Sequence, residues 1–139
     1  VGWACGNQQL VSALAKVKSN IDSGIFSAIQ LAAVAALRGP EDYLKSMCAL
    51  YQQRRDILVD GLNALGLSAI KPKATFYVWI KIPVKTGAIG FAARLLKEAN
   101  IVATPGVGFG QHGEGYIRMA LTVSETRIKE ALQRLKKIF

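Results

Sequence analysis

The chain has 139 residues and little of what metal and redox chemistry is usually built on. It contains one histidine, His112, and two cysteines, Cys5 and Cys48, with no CxxC pair and no ligand partner at metal spacing. This argues against a zinc site, so no metal is expected, and the thiols read as ordinary, reduced and mostly buried in a cytoplasmic compartment. Long apolar runs are also missing. The longest stretch, 28–37, is interrupted by Gln30 and is too short to span a bilayer, so no membrane partner is expected. The first residues form no charged segment followed by a hydrophobic one and a cleavage site, which argues against a secretory signal. Acidic residues are scarce, 9 against 18 lysines and arginines, for a net charge of +9. The basic residues are spread out, with short pairs at Arg54-Arg55 and Lys136-Lys137 and no aromatic-interleaved basic stretch. No nucleic-acid partner is expected.

What the chain does have is apolar surface, at 51% hydrophobic residues, in a length that fits one domain with a real core. Helices and short strands alternate. A helix is expected over 7–17, and 24–37 is alanine-rich and apolar nearly all round, as a buried helix would be. Gly39-Pro40 breaks the chain. Pro40 with Glu41 and Asp42 then starts a long helix that runs to about Leu65 and stops at Gly66. Leu44, Met47, Cys48 and Tyr51 line one stripe of it, and Leu58, Leu62 and Leu65 a later one. Residues 76–82, FYVWIKI, form a dense β-former run closed by Pro83, followed by a helix over 88–99. Strands are expected at 101–103 and 116–121, and Ser124 caps a final helix carrying Ile128, Ala131, Leu132, Leu135 and Ile138 at helical spacing. The later half is therefore α/β, with helices covering a small sheet. Residues 1–5 are strand-like but have no early strand to pair with.

The most informative stretch is 104–121, TPGVGFGQHGEGYIRMAL. Gly108, Gly110 and Gly113 spell G-x-G-x-x-G, but the dinucleotide fingerprint needs a strand before it and a helix after it, and here a strand follows. The glycines read better as a loop that takes positive φ or lies close against something. In the strand, Ile117, Met119 and Leu121 point one way, and Tyr116, Arg118 and Ala120 the other. An arginine there offers a charged planar fork that can bind a carboxylate through two parallel hydrogen bonds. The same residue could instead be an edge-strand arginine that reaches for water or pairs with Glu114.

Several segments in order, VGWACGN at 1–7, SNIDSGIFSAIQ at 19–30, YQQRRDILVDGLNALG at 51–66, KPKATFYVWIKIP at 71–83, TPGVGFG at 104–110 and GEGYIRMALT at 113–122, are shared with a known family. The chain resembles the C-terminal portion of the class I/II, fold-type I pyridoxal-phosphate aminotransferases, in the LL-diaminopimelate or aspartate aminotransferase-like branch. The resemblance implies a remnant of the large cofactor-binding domain at 1–38, a long interdomain helix at 39–66 and the small C-terminal α/β domain at 67–139. It implies that Arg118 grips the substrate α-carboxylate.

In the family, the lysine that forms the Schiff base with the cofactor lies a few residues before a G-x-R-x-G-W segment whose arginine holds the cofactor phosphate. This chain begins at the V-G-W, and none of its eleven lysines stands in a comparable context. The aspartate at the pyridine nitrogen and the tyrosine at the ring oxygen are absent as well. The resemblance therefore implies a piece of a longer, homodimeric enzyme that uses pyridoxal 5'-phosphate to move an amino group between an amino acid and a 2-oxo acid. The piece itself is expected to be inactive. In the family, the loop before the buried helix reaches the neighbouring subunit's active site, and Asn20 and Ser23 are the residues here in that position. Helix capping by Asp22 or Ser23 is the alternative reading of that loop. A non-catalytic binding module of the same fold, a basic interaction domain and a carbon-sulfur lyase or cyclopropane-forming synthase of the same family are alternative functions.

Overall fold

A computed structural model describes residues 1–83 and 86–139. Lys85, one of the eleven lysines, lies outside the described residues. The chain divides into two compact units, Val1–Leu44 and Lys45–Phe139.

The first unit holds helix α1, Gln8–Lys18, and helix α2, Ser27–Leu37. The Asn7 side chain starts α1 by accepting from the backbone N–H groups of Gln9 and Leu10, two donors that no helical carbonyl can reach. Helix α2 starts three residues later than its apolar pattern suggests, because Gly24 holds a positive φ of 112° and Phe26 takes the cap position. Among its residues only Ala33 is even half-buried, although the pattern reads as a buried helix. Its apolar side chains, Leu31 and Leu37 among them, are exposed. Residues 1–5 form no strand. Both cysteines are exposed, contrary to the expectation of buried thiols, since Cys5 lies in that irregular start and Cys48 on an uncovered part of the next helix.

That helix, α3, spans Glu41–Ala64, and it ends where Gly66 turns to φ 79° and Leu67 donates back to the Leu62 carbonyl at 3.0 Å. The second unit contains its later turns and a four-stranded antiparallel sheet. The strands are β1, Ser68–Ala69, β2, Tyr77–Lys81, β3, Thr104–Pro105, and β4, Tyr116–Ala120, in the order β1-β2-β4-β3. The strand expected at 101–103 is displaced to Thr104–Pro105. Helix α4, Gly87–Ala99, ends in left-handed Asn100, and Ile101 is spent on closing it by donating to the Leu95 carbonyl. Helix α5, Glu125–Leu135, is capped by Ser124 as its sequence indicates.

Strand alternation gives the sheet two unlike faces. Val78, Ile80 and Ile117 join Leu62 of α3, Phe91 and Leu95 of α4 and Leu135 of α5 in one core, each about fully buried. Each such side chain contributes roughly 1.5–3 kcal/mol on leaving water. The other face carries Tyr77, Trp79 and Lys81 of β2 beside Tyr116 and Arg118 of β4, all exposed or half-buried.

Candidate functional site

Arg118 lies in the middle of that open face, opposite Trp79 on one side and Thr104 on the other. Its guanidinium carbon is 3.8 Å from the centre of the Tyr77 ring and 3.9 Å from the centre of the Phe109 ring. Two rings that close to one carbon cannot share a side of it, and each has its own backing. Tyr77 packs on Phe76 at 4.5 Å, and Phe76 on Tyr51 of α3 at 6.1 Å; Phe109 packs edge-on against Trp79 at 5.5 Å. The guanidinium is therefore sandwiched, by contacts that each stabilise a cation by about 0.5–2 kcal/mol.

The pairing with Glu114 does not occur. One Glu114 carboxylate oxygen instead accepts from the backbone N–H of Ala88, at 2.7 Å, and of Gly115, at 3.1 Å, and so fastens the start of α4 to the glycine loop. This is where a helix N-terminus stabilises negative charge. Among the described residues no carboxylate pairs with Arg118, and its donors are left for something else.

The glycine loop places Phe109. Two 3-10 turns, Gly106–Phe109 and Gln111–Gly113, run directly into β4, so no helix follows and the dinucleotide reading fails on geometry. The loop closes on itself instead. A β-carbon on Gly106 would stand 2.0 Å from the Gly113 carbonyl oxygen, and one on Gly113 would stand 2.0 Å from that of Gly106. Only two glycines allow this approach.

Tyr77 is placed from the other side, by the segment that leads into β2. Arg55 donates to the Pro72 carbonyl at 3.1 Å, and Lys71 bridges to Asp60 at 2.9 Å and to Asp56 at 3.5 Å, holding the segment on α3. A hydrogen bond from Arg55, with the charges of Arg55 and Lys71, holds the Asp56 carboxyl below the usual carboxylate range. A depressed carboxyl contributes its pairing throughout the neutral range and loses it only as pH falls through that lowered value. Thr75 then takes φ 72°, a left-handed conformation that a β-branched residue adopts only under strain. The Phe76 carbonyl accepts from Leu121 at 2.8 Å, which ties the strained entry to the end of β4.

Asn20 and Ser23 belong to the first unit. The Asn20 amide donates to the Lys16 carbonyl at 2.7 Å, closing the end of α1. Ser23 borders an open depression with Trp3, Leu14, Lys18 and Asp22. Asp22 accepts from the Gly24 N–H at 2.8 Å and pairs with Lys18. Neither Asp22 nor Ser23 caps α2, whose cap position makes no side-chain hydrogen bond. The sequence alone does not single out Tyr77, Phe109 or Thr75. The alternation in FYVW carried a signal for Tyr77, since it shares parity with Trp79; nothing local marked Phe109 or Thr75.

Residues 1–135 match the family described as aminotransferase class I and II. The chain belongs to that family. It is 50% identical over 138 residues to an LL-diaminopimelate aminotransferase of Moorella thermoacetica, covering 99% of this chain and 35% of that protein. It is 52% identical over 136 residues to one of Halothermothrix orenii, covering 98% and 35%. Among solved structures, aspartate aminotransferase from Thermus thermophilus with maleate superposes with a TM-score of 0.85 at 31% identity, covering 97% of this chain and 36% of that one. Substrate-bound BacF from Bacillus subtilis superposes at 0.83 and 32% identity, covering 96% and 34%. The chain thus spans about a third of the length of the family members it matches.

The loop geometry separates glycines that matter from one that does not. Gly106→Ala drives a methyl into backbone and is expected to cost about 1–3 kcal/mol or more. Gly108→Ala, at a site with nothing within 4 Å, is expected to change stability by less than about 0.5 kcal/mol. Urea unfolding midpoints of the two variants measure this, and equal midpoints would show that the loop does not close as described.

Proposed function

We propose that the protein containing this chain is a pyridoxal-phosphate-dependent aminotransferase, in which Arg118 binds the α-carboxylate of the amino acid and of the 2-oxo acid. One observation carries this reading. A half-buried guanidinium stands on an open sheet face, stacked on both sides and paired with no acid of its own. Its fork matches a carboxylate in two parallel charge-assisted hydrogen bonds. Maleate, the ligand named with the Thermus relative, is a dicarboxylate, which supports the same ligand chemistry. The names of the curated relatives support LL-diaminopimelate as the amino acid.

The residues around Arg118 do not make a cofactor pocket. Imine formation needs an amine, and the groups in contact with Arg118 are aromatic rings. The cofactor, which supplies an electron sink for the α-carbon, would be held by parts of the protein outside this chain. The contribution of this chain is orientation: a carboxylate fixed at two points leaves the α-carbon one attitude toward the reacting groups, and such positioning lowers a barrier by several kcal/mol. On this reading 1–38 is a remnant of the large domain, 39–66 the interdomain helix and 67–139 the small domain, in a cytoplasmic homodimer. Asn20 and Ser23 would approach the partner subunit's site.

Three outcomes are expected. In the full-length protein, Arg118→Ala lowers kcat/KM by about a hundredfold or more while the cofactor absorbance persists, because charge-assisted hydrogen bonds contribute roughly 1.5–3 kcal/mol each. Arg118→Lys keeps the charge but not the fork and stays impaired, whereas turnover of an amine without a carboxylate hardly changes. Equal losses for both substrates would make Arg118 a structural residue. The 139-residue chain alone forms no imine with pyridoxal phosphate, and stoichiometric borohydride trapping on one lysine would contradict this. Helix α2, with Leu31 at 70% and Leu37 at 73% exposure, is covered in the full protein by the large domain or a partner subunit. Sedimentation of the full protein as an active monomer at micromolar concentration would refute the dimer.

A further inference from the structure

We propose that Tyr77 and Phe109 are positioning residues for Arg118, which cover both flat faces of its guanidinium so that an anion can be engaged only in the guanidinium plane. This rests on the reading of Arg118 as a carboxylate clamp and adds how the clamp is aimed. The guanidinium carbon lies over both rings at less than 4 Å. With its faces occupied, the accessible part is its rim of N–H donors, which lie in the plane. A carboxylate meets that rim as two parallel bonds, while an approach from above or below meets a ring.

The two rings come from elements with separate anchors, which is what holds the slot at a fixed width. Tyr77 follows strained Thr75 and is backed by Phe76 and, through it, by Tyr51 of α3. Phe109 ends the 3-10 turn that the Gly106 and Gly113 contact holds shut, and it is backed by Trp79. The position of the strain agrees with this, since backbone strain persists where a surrounding structure holds a working side chain in place. The stacked slot fits a flat, delocalised cation. A lysine ammonium there could contact the rings but could not present two parallel donors, and this gives the impairment expected of Arg118→Lys a structural cause.

The test uses the full-length, cofactor-loaded protein and maleate as a non-reacting probe, with its dissociation constant measured by calorimetry. Tyr77→Leu and Phe109→Leu are each expected to weaken maleate binding about tenfold, the scale of one lost cation–π contact, while Tyr77→Phe keeps the ring and stays within about twofold. In an Arg118→Ala background, Tyr77→Leu is expected to weaken binding no further, because its effect passes through the guanidinium. With substrate, the loss falls on carboxylate-bearing amino acids and spares an amine without a carboxylate. Phe109 is 49% exposed, so its variant folds even where Tyr77→Leu does not. If Arg118→Ala leaves maleate affinity unchanged, the clamp reading itself fails. If Arg118→Ala weakens binding but both leucine variants keep wild-type affinity, or if Tyr77→Leu acts equally with and without Arg118, the positioning role is overturned and the clamp stands.

Discussion

The pairing of β2 with β4 is the constraint on which the site depends. Because side chains alternate along a strand, a slip of β4 by one residue against β2 would turn Arg118 into the core and push Ile117 out. The core forbids this. Val78, Ile80 and Ile117 are essentially fully buried against three helices, so a slip would forfeit several buried side chains at roughly 1.5–3 kcal/mol each and leave a charge in their place. The same register that buries the aliphatic residues puts Tyr77, Trp79, Tyr116 and Arg118 together on the open face. Folding energy on one side of the sheet thus sets the geometry of the other.

What could be read from the sequence follows from where periodicity carries information. The long third helix, the strand at FYVWI, the fourth helix, the start of the fifth and the side on which Arg118 points are all local patterns, and the structure reproduces them within a residue or two, while α5 ends at Leu135, short of the Ile138 that its spacing includes. The strand expected at 101–103 lies instead at Thr104–Pro105, because the end of α4 draws Ile101 into its own closure, a tertiary use that no propensity announces. The thiols and α2 have the pattern of buried groups yet are exposed, because apolar pattern reports what a surface is suited to meet and not what meets it. Arg118 was legible as a candidate because arginine in an apolar strand is uncommon. Phe109 was not, since its approach to Arg118 depends on how a glycine loop folds between β3 and β4.

That loop shows why a motif must be tested by its setting. Gly108, Gly110 and Gly113 have the dinucleotide spacing, yet the close approach here is between Gly106 and Gly113, and Gly108 meets nothing. The contact closes a turn over the sheet and delivers a ring. Glu114, the acid nearest to Arg118 in sequence, is drawn instead to the start of α4, where backbone N–H groups hold it.

The diversion of Glu114 bears directly on what Arg118 can do. A guanidinium held by an internal carboxylate is positioned but already satisfied, and an incoming anion would have to displace a charge-assisted pair of roughly 1.5–3 kcal/mol per hydrogen bond. Aromatic rings hold the same group through its faces, at about 0.5–2 kcal/mol each, and leave every N–H free. The two modes of fixation differ in whether they compete with the ligand. Tyr77 and Phe109 use the noncompeting one, so among the described residues the Arg118 donors stay open, which is the condition for the proposed anion to gain the full strength of a two-point contact.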